Sequence, residues 1–489
     1  MTFIGRTQEL ELLKRELNRP RPSLLVIYGR RRVGKSTLIL ESLHEQRFVY
    51  YQASRVTDDD NLNLFKQNLE TGLGADPILA SLTDWLGIFA YLAALASKQA
   101  GLSVVLDEFP YLCEANSALP SLLQAAWDRI RVANPHFNLI LCGSSIGFME
   151  DLLAERNPLR GRQTLTLDLE PMNYREIALW VKDWQVEEQI MLASILGGMP
   201  YYLSFLDPNL SLQENLLEIV LTRGAPLFDE PALLLQAELQ APRRYASILR
   251  AISDGCHEWG EILGRVKDFK DGSQLAPYIK KLEQLRLLEI KKSFGVPEKD
   301  RNRRYDLSDP FLRFWYRFVL PNRSALEAGH ASSVFDLAIE PHLNEFMGAA
   351  FERICRDYTK RFIQEQLGIP TKEVGQIWAA DYDLDVTGEL LDGSRLYGEC
   401  KWWQDRVGEN ILERLLETSK QAEQNPKNPK YLLFSRNGFT PSLIQRAQDT
   451  TQLHLISLSN LMGKSADLKK VEIKRVVKKK KLKNSSLSE

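Results

Sequence analysis

One glycine-containing stretch constrains this chain more than any other part of its sequence. Residues 29–37 read Gly-Arg-Arg-Arg-Val-Gly-Lys-Ser-Thr and directly follow the apolar run Leu-Leu-Val-Ile-Tyr at 24–28. Two glycines separated by four residues and followed by Lys and Ser fit the phosphate-binding pattern G-x-x-x-x-G-K-[ST], and the apolar run supplies the strand that precedes such a loop. The stretch therefore predicts a strand, a tight loop and a helix in succession, which is typical of an α/β domain.

The residue types in this loop suit the phosphates of a nucleotide. Gly29 and Gly34 let the backbone curl so that successive N–H groups face phosphate oxygens, and the helix that begins near Ser36 adds its positive end. The Lys35 ammonium can reach the β- and γ-phosphates, and the Ser36 hydroxyl can ligate Mg²⁺. We expect the nucleotide to be bound by the whole loop: Gly29, Arg30, Arg31, Arg32, Val33, Gly34, Lys35, Ser36 and Thr37.

Two carboxylates end a second apolar run. Asp107 and Glu108 follow the sequence Gly-Leu-Ser-Val-Val-Leu at 101–106. At the carboxyl end of a parallel strand beside the loop, Asp107 would hold Mg²⁺, directly or through water, and Glu108 would orient or deprotonate the attacking water. A third run, 137–142, leads to Ser144, whose hydroxyl either senses the γ-phosphate or caps a helix. Three apolar runs that each end in candidate functional residues, and that are separated by helical stretches, predict a doubly wound parallel sheet.

The residues after this sheet contain two arginines and a glycine-rich turn. Arg160 and Arg162 lie in a loop at 157–162, where either could neutralise charge on the γ-phosphate as an arginine finger or remain a surface residue. The stretch 173–221 is helix-rich and is interrupted by Gly-Gly-Met-Pro at 197–200. We interpret it as a helical lid whose turn packs back over the nucleotide.

From residue 241 the pattern changes to three short helices and a two-stranded hairpin that ends at 307. This order of elements describes a winged helix-turn-helix, which can lay its third helix in a DNA major groove. Basic residues on and after that helix and on the wing could contact phosphates: Lys280, Lys281, Arg286, Lys291, Lys292, Arg301, Arg303 and Arg304. The same pattern is equally consistent with an interdomain packing module whose basic residues are solvated.

The last folded region contains a second group of chemically active side chains. Asp385 lies on one predicted strand, and Glu399 and Lys401 lie on the next. Alternate strand residues point the same way, so a hairpin would bring these three side chains to one face. Two carboxylates there can bind Mg²⁺, and the lysine can position or activate water. Glu352, on the preceding amphipathic helix, could add a ligand, whereas a salt-bridged edge strand is the alternative explanation.

Composition limits the class of protein without naming its activity. The length of 489 residues suggests about three domains, and the formal net charge is −1. Ten Lys or Arg against three acidic residues make the segment 464–489 basic, and we predict a disordered tail there. Five scattered cysteines without C-x-x-C spacing, no visible signal peptide and no apolar run long enough for a membrane span predict a cytoplasmic protein.

Motifs along the whole chain resemble the archaeal-type P-loop ATPases of the AAA+/STAND group that carry a C-terminal restriction-endonuclease-like domain. The motifs lie at 3–6, 28–36, 106–111, 158–162, 197–200, 309–315 and 398–402. The resemblance implies an ATPase core at 1–170, a helical lid at 171–235, a winged helix with a linker helix at 236–325 and a PD-(D/E)XK-like domain at 326–463.

The same resemblance implies roles for individual residues. It places the segment from Phe3 to Arg6, with Phe3 and Ile4 as nucleotide contacts, at the edge of an adenine pocket, whereas the apolar spacing of residues 3–13 alone is also explained by a short packing helix. It assigns ATP contact and catalysis to Lys35, Ser36, Asp107 and Glu108. Of these, Ser36 and Asp107 would bind Mg²⁺. It assigns nuclease-like roles to a second group: Glu352, Asp385, Glu399 and Lys401. Of these, Asp385 and Glu399 would bind Mg²⁺. One departure is conservative, since Asp383-Leu-Asp385 stands where Glu-Ile-Asp is usual.

Two functional hypotheses follow from these features. In the first, the chain is a Mg²⁺-dependent ATPase whose nucleotide state controls a DNA-directed C-terminal domain with conditional nuclease activity. In the second, it is a STAND-like regulatory switch that turns over ATP slowly and contacts a protein partner or further copies of itself. Neither hypothesis places the chain in a membrane.

Overall fold

Five short strands form the parallel sheet on which the N-terminal region is built. They are β1 (Ser23–Tyr28), β2 (Arg47–Gln52), β3 (Leu102–Asp107), β4 (Phe137–Gly143) and β5 (Leu165–Asp168). The strand order is β2-β3-β4-β1-β5, and every neighbouring pair is parallel. All residues of β1, β3 and β4 are buried, as expected for central strands of a parallel sheet that is covered on both faces. The predicted parallel α/β sheet is confirmed.

This computed structural model describes residues 3–98, 101–133, 136–297, 303–379 and 381–463. The predicted basic tail at 464–489 lies outside these ranges. The chain divides into two compact units. The first contains the residues through Leu179 together with Gly198–Phe205 and Lys280–Leu287; the second contains Trp180–Gly197, Leu206–Ile279 and the residues from Leu288 onward. No helix in the described ranges has the length and apolar character needed to cross a membrane.

The helices of the first half follow in chain order, and most begin at a capping residue or a proline. They are α1 (Thr7–Leu17), α2 (Lys35–Leu43), α3 (Asp58–Leu73), α4 (Pro77–Ser81), α5 (Trp85–Lys98), α6 (Phe109–Ala115), α7 (Leu119–Ala133), α8 (Ile146–Leu153), α9 (Tyr174–Ala178), α10 (Val186–Ile195), α11 (Pro200–Leu203), α12 (Leu212–Leu216) and α13 (Glu230–Glu238). In α3, for example, the Thr57 hydroxyl accepts a hydrogen bond from the Asp60 backbone N–H, which would otherwise lack a partner in the first turn of the helix.

Three helices and a hairpin stand where the winged helix is predicted. They are α14 (Pro242–Ser253), α15 (Trp259–Arg265) and α16 (Gly272–Gln284), followed by β6 (Leu288–Lys292) and β7 (Arg303–Leu307). The two strands pair antiparallel, with Lys291 opposite Arg304. The order of elements is as expected, and their assignment as a DNA-binding winged helix stays a prediction.

A second, mixed sheet forms the core of the C-terminal region. Its strands are β8 (Thr371–Trp378), β9 (Asp383–Leu390), β10 (Arg395–Lys401), β11 (Lys430–Ser435) and β12 (Leu453–Ser457). The order is β12-β11-β10-β9-β8; β8, β9 and β10 are antiparallel neighbours, whereas β10, β11 and β12 are parallel. The remaining helices are α17 (Pro310–Phe314), α18 (Arg323–Glu327), α19 (Ala331–Val334), α20 (Glu340–Arg361), α21 (Gln364–Leu367), α22 (Glu409–Ala422), α23 (Pro441–Gln448) and α24 (Leu458–Leu461), with π-helical segments at Leu217–Leu221, Trp315–Val319 and Phe335–Ile339.

Candidate functional site

The loop between β1 and α2 is held in a conformation that only glycine tolerates at two positions. Gly29 has a φ of 152°, and a Cβ added there would lie 2.3 Å from the Leu169 carbonyl oxygen. Gly34 has a φ of 90° and directly precedes the first residue of α2, Lys35. The backbone therefore curls at both ends of the predicted phosphate loop, because these two residues lack side chains.

The lysine and serine of the loop lie next to the end of β3. The buried Lys35 Nζ donates hydrogen bonds to the carbonyl oxygens of Gly29, at 3.0 Å, and Arg30, at 3.1 Å. The Ser36 hydroxyl donates to Asp107 Oδ2 at 2.7 Å. A hydroxyl and a carboxylate oxygen are the hard ligands that Mg²⁺ prefers. The structure thus brings together the two side chains that the sequence assigned to the metal at this site.

Tyr50 is the side chain at this site that sequence reasoning missed. Its hydroxyl donates a hydrogen bond to Asp107 Oδ2, the same oxygen that accepts from Ser36. Burial, with the hydrogen bond to Asp107 next in importance, raises the pKa of Tyr50 well above its ordinary value, so the phenol stays a donor. The run Phe-Val-Tyr-Tyr within β2 was the available signal, because it indicates a strand, and β2 is the direct neighbour of β3.

Glu108 connects the ends of β3 and β4. Its Oε2 accepts hydrogen bonds from the Ser144 backbone N–H at 3.1 Å and from the Ser144 hydroxyl at 2.9 Å. Glu108 also adopts a left-handed conformation with a φ of 52°, which costs a non-glycine residue about 1–3 kcal/mol and is found disproportionately at functional sites. The predicted water-orienting carboxylate and the predicted γ-phosphate sensor are therefore direct partners.

A buried arginine ties the N-terminal segment to the phosphate loop. The Arg6 Nη2 donates to the Val33 carbonyl oxygen at 3.2 Å, and the Arg6 backbone N–H donates to Glu176 Oε1 at 2.8 Å. Arg6 is 3% exposed. Phe3 and Ile4, both half-buried, precede this anchor, so the segment predicted to border adenine is fixed to the loop.

The glycine-proline turn of the predicted lid also lies against the loop. A Cβ built on Gly34 would lie 3.4 Å from Pro200 Cγ, which is ordinary contact. Gly198 has no room for a side chain, because its Cβ would lie 1.9 Å from the Met172 carbonyl oxygen. The Arg32 guanidinium lies over the Tyr201 ring, with its Cζ 4.3 Å from the ring centroid.

Arg162 is held by partners outside the loop. Its Nε and Nη2 donate to the two carboxylate oxygens of Asp128 at 2.9 and 2.8 Å, and its Nη1 donates to the Pro158 carbonyl oxygen at 2.8 Å. This bidentate contact holds the pKa of Asp128 below its ordinary value. The other arginine of that segment, Arg160, pairs with Glu155 at 2.9 Å. A role for Arg162 as an arginine finger stays a prediction.

The second group of predicted side chains meets on the hairpin of β9 and β10. Gly398 pairs with Val386, and the same register places Glu399 opposite Asp385. Lys401 Nζ donates to Glu399 Oε1 at 2.6 Å, and the Cys400 backbone N–H donates to Asp385 Oδ2 at 2.8 Å. Helix α20 adds two more charges, because Arg356 Nη1 donates to the Asp385 carbonyl oxygen at 2.7 Å and lies 3.6 Å from Glu352.

The carboxylates of this hairpin repel one another in a partly buried setting. Burial, followed by the charges of Glu352 and Glu399, raises the pKa of Asp385 to about 8. Burial also raises the pKa of Glu352. A cation bound between such carboxylates would relieve their repulsion. Within the described ranges, no three or more His, Cys, Asp or Glu side chains are grouped so as to hold a metal ion, so Asp385 and Glu399 are a two-carboxylate candidate.

Comparison with known domains identifies the class of protein. A model of an ATPase domain found predominantly in Archaea matches residues 3–206, the range that contains the phosphate loop, Asp107, Glu108 and Ser144. A model of archaeal and bacterial proteins of unknown function matches residues 315–415, which include Asp385. The N-terminal region is a P-loop ATPase domain, and the protein is a nucleotide-binding ATPase.

Relatives extend this likeness over most of the chain. The uncharacterized protein MJECL04 of Methanocaldococcus jannaschii is 30% identical over 435 residues, which cover 86% of this chain and 92% of that protein. The chain belongs to the same family as that protein. The uncharacterized ATP-binding protein MJ0423 of the same organism is 44% identical over 45 residues, or 9% of this chain and 76% of that protein. A solved structure, the Walker-type ATPase PABY2304 of Pyrococcus abyssi, aligns with a TM-score of 0.49 at 20% identity over 64% of this chain and 96% of that one.

Proposed function

We propose that the chain hydrolyses ATP with Mg²⁺ and that its nucleotide state controls a DNA-directed C-terminal domain with conditional nuclease activity. The observation that carries the ATP part is the 2.7 Å contact between Ser36 and Asp107, which joins the loop to the end of β3. Ser36 and Asp107 would hold Mg²⁺, which when bound would supply positive charge against the charge that develops during phosphoryl transfer.

The protein side chains around this point divide the remaining work. Lys35 withdraws from the Gly29 and Arg30 carbonyl oxygens to bind the β- and γ-phosphates. Glu108 orients the attacking water and accepts its proton, while Ser144 holds Glu108 in place. Tyr50 keeps the Asp107 carboxylate turned toward Ser36. Phe3 and Ile4 border the adenine.

The nuclease part of the proposal is supported by the hairpin of β9 and β10. Asp385 and Glu399 would hold Mg²⁺, and Lys401, released from its ion pair with Glu399, would stabilise the charge on the phosphate under attack. Arg356 links Glu352 to this hairpin, because it pairs with Glu352 and donates to the Asp385 carbonyl oxygen. The three helices and hairpin at 242–307 would supply contacts with DNA phosphates.

A matched pair of variants on one strand tests this assignment. Asp385→Asn should abolish Mg²⁺- or Mn²⁺-dependent nicking of DNA while leaving ATP hydrolysis unchanged, because the substitution removes one metal ligand without changing shape. Asp383→Asn is the control, since Asp383 lies on the same strand with its side chain 67% exposed. The assay measures conversion of supercoiled plasmid to nicked circles.

Three outcomes separate the hypotheses. Loss of nicking in Asp385→Asn alone supports the nuclease site. Equal nicking by both variants and the wild type would point to a contaminating activity and contradict it. No nicking by the wild type on DNA or RNA would leave an ATP-dependent switch that acts through binding, which the short Lys401–Glu399 ion pair favours as the second candidate function.

A further inference from the structure

A small cavity in the C-terminal unit lies between the β6–β7 hairpin and helix α20. Its volume is about 210 Å³, which is below the ~300–1,000 Å³ typical of sites for drug-sized ligands and suits a smaller chemical group. Its charged lining consists of four cations and two acids: Lys291, Arg353, Arg356, Lys360, Glu289 and Asp357. The excess of cations indicates an anionic ligand.

The inner wall of the cavity is a half-buried network of ion pairs. Arg353 pairs with both Glu289 and Asp306, and Lys291 Nζ lies 3.2 Å from Glu289 and 2.9 Å from Asp306. Arg313 Nε lies 4.0 Å from Asp306. These three cations share two carboxylates with each other, and two further acids act on them: Glu352 on Arg353 and Asp309 on Arg313.

The titratable groups of this network shift in both directions: burial lowers the pKa of Arg353, but Asp306 and Glu289 outweigh burial and raise it. Burial, followed by the neighbouring charge of Arg353, lowers the pKa of Arg313 to about 9. Burial and then Arg353 lower the pKa of Lys291 as well. For Asp306, burial favours the neutral acid, but the cations outweigh it and hold the pKa below its ordinary value. An added anion would therefore stabilise the network.

The outer wall points toward the β9–β10 hairpin. Arg353, Arg356 and Lys360 follow one stripe of α20, at spacings of three and four residues. Arg356 donates to the Asp385 carbonyl oxygen, so the cavity adjoins the carboxylate cluster. Lys360 is exposed, and within the described part of the chain it forms no ion pair. It is the cation best placed to meet a ligand from solvent.

We propose that this basic cavity binds a phosphate group of a nucleic-acid strand and so places the strand beside Asp385 and Glu399. Guanidinium and ammonium groups around a cavity of this size match a phosphate in charge and hydrogen-bonding capacity. The phosphate of a free nucleotide has the same chemistry, but a ligand beside a nuclease-like cluster is more simply a neighbouring phosphate of its substrate. The inference rests on the proposed function of that cluster.

Two matched lysines test the proposal in the full-length protein. Lys360 and Lys420 both lie exposed in the last turn of a helix of the same unit, but only Lys360 lines the cavity. Binding of a fluorescent single-stranded DNA is measured by anisotropy over a range of salt concentrations. Lys360→Gln should weaken binding and reduce the slope of log K against log salt by about 0.7, the loss of one phosphate contact, whereas Lys420→Gln should leave the slope unchanged.

The remaining outcomes separate this inference from the proposed function. A wild-type slope in Lys360→Gln, with normal DNA binding, would overturn the cavity assignment alone. No DNA binding by the wild type would overturn both the cavity assignment and the DNA-directed role. Pyrophosphate binding distinguishes a free phosphate compound from a nucleic-acid strand as the ligand, and it is measured in a Lys35→Ala background that disables the loop. If Lys360→Gln weakens pyrophosphate binding but leaves the DNA salt slope unchanged, the strand is not the ligand.

Discussion

At the scale of single residues, the ATP site depends on one carboxylate that serves several partners. Asp107 Oδ2 accepts hydrogen bonds from both Ser36 and Tyr50, and Asp107 Oδ1 accepts from the Glu108 backbone N–H at 2.9 Å. Each donor limits the rotation of the carboxylate. Its orientation is therefore fixed before nucleotide binds, which is the preorganisation that electrostatic catalysis requires.

Removing the Tyr50 hydroxyl should slow ATP hydrolysis without weakening nucleotide binding. Loss of one hydrogen bond of about 1 kcal/mol predicts that Tyr50→Phe lowers kcat roughly five- to tenfold, with KM for ATP little changed, because Tyr50 contacts Asp107 rather than the nucleotide. Tyr51→Phe is the control, since the Tyr51 hydroxyl donates to Asn61 at 2.7 Å. Steady-state kinetics that show equal kcat for Tyr50→Phe and wild type would contradict the positioning role.

Sequence patterns predicted these residues unequally. Lys35, Ser36, Asp107 and Glu108 were predicted because they follow apolar runs at the spacing that phosphate chemistry requires. Tyr50 was not found, because its role depends on which strand lies beside β3, and strand order is a tertiary property. Arg6 was predicted only as part of an adenine edge, and the structure adds its bond to the Val33 carbonyl oxygen.

At the scale of elements, the central strands of the parallel sheet were easier to predict than its outer strand β5. The strands β1, β3 and β4 are continuous apolar runs, whereas β5 alternates between half-buried and exposed residues and gave no such signal. The hairpin of β9 and β10 was predicted because its charged residues alternate with apolar ones. The strands that flank it, β8 and β11, were not predicted, so the five-stranded mixed sheet emerged only in the structure.

The glycine-proline turn before α11 provides a test of packing at this scale. Gly198→Ala should destabilise the protein by at least the 1–3 kcal/mol typical of overpacking, because the new methyl group would collide with the Met172 backbone. Gly147→Ala is the matched control: Gly147 lies within α8 with no atom near the added Cβ, and alanine favours helix there by about 0.5–1 kcal/mol.

Thermal unfolding followed by circular dichroism measures both glycine variants. The expected result is a lower midpoint for Gly198→Ala and an equal or slightly higher midpoint for Gly147→Ala. A Gly198→Ala midpoint equal to that of the wild type would mean that the turn adjusts easily, and its close fit against Met172 would then have no energetic weight.

At the scale of the whole molecule, the chain combines an ATPase domain with a second carboxylate–lysine cluster. The phosphate loop was sufficient to predict the N-terminal activity, because its residues are consecutive and each has a chemical reason. The C-terminal cluster was predicted residue by residue from one hairpin, yet its neighbour, the basic cavity, joins residues from 289 to 360 that no short motif connects. Such long-range clusters become visible only when the fold is known.

The proposed control of the C-terminal domain by nucleotide can be tested by a single comparison. Metal-dependent DNA nicking is measured for the wild type and for Lys35→Ala, each with and without ATP. We expect ATP to change the nicking rate of the wild type at least several-fold and to leave Lys35→Ala unaffected, because that variant lacks the side chain proposed to bind the phosphates. Nicking that is identical in all four conditions would contradict control by nucleotide, and retained ATP hydrolysis in Lys35→Ala would contradict the assignment of the loop itself.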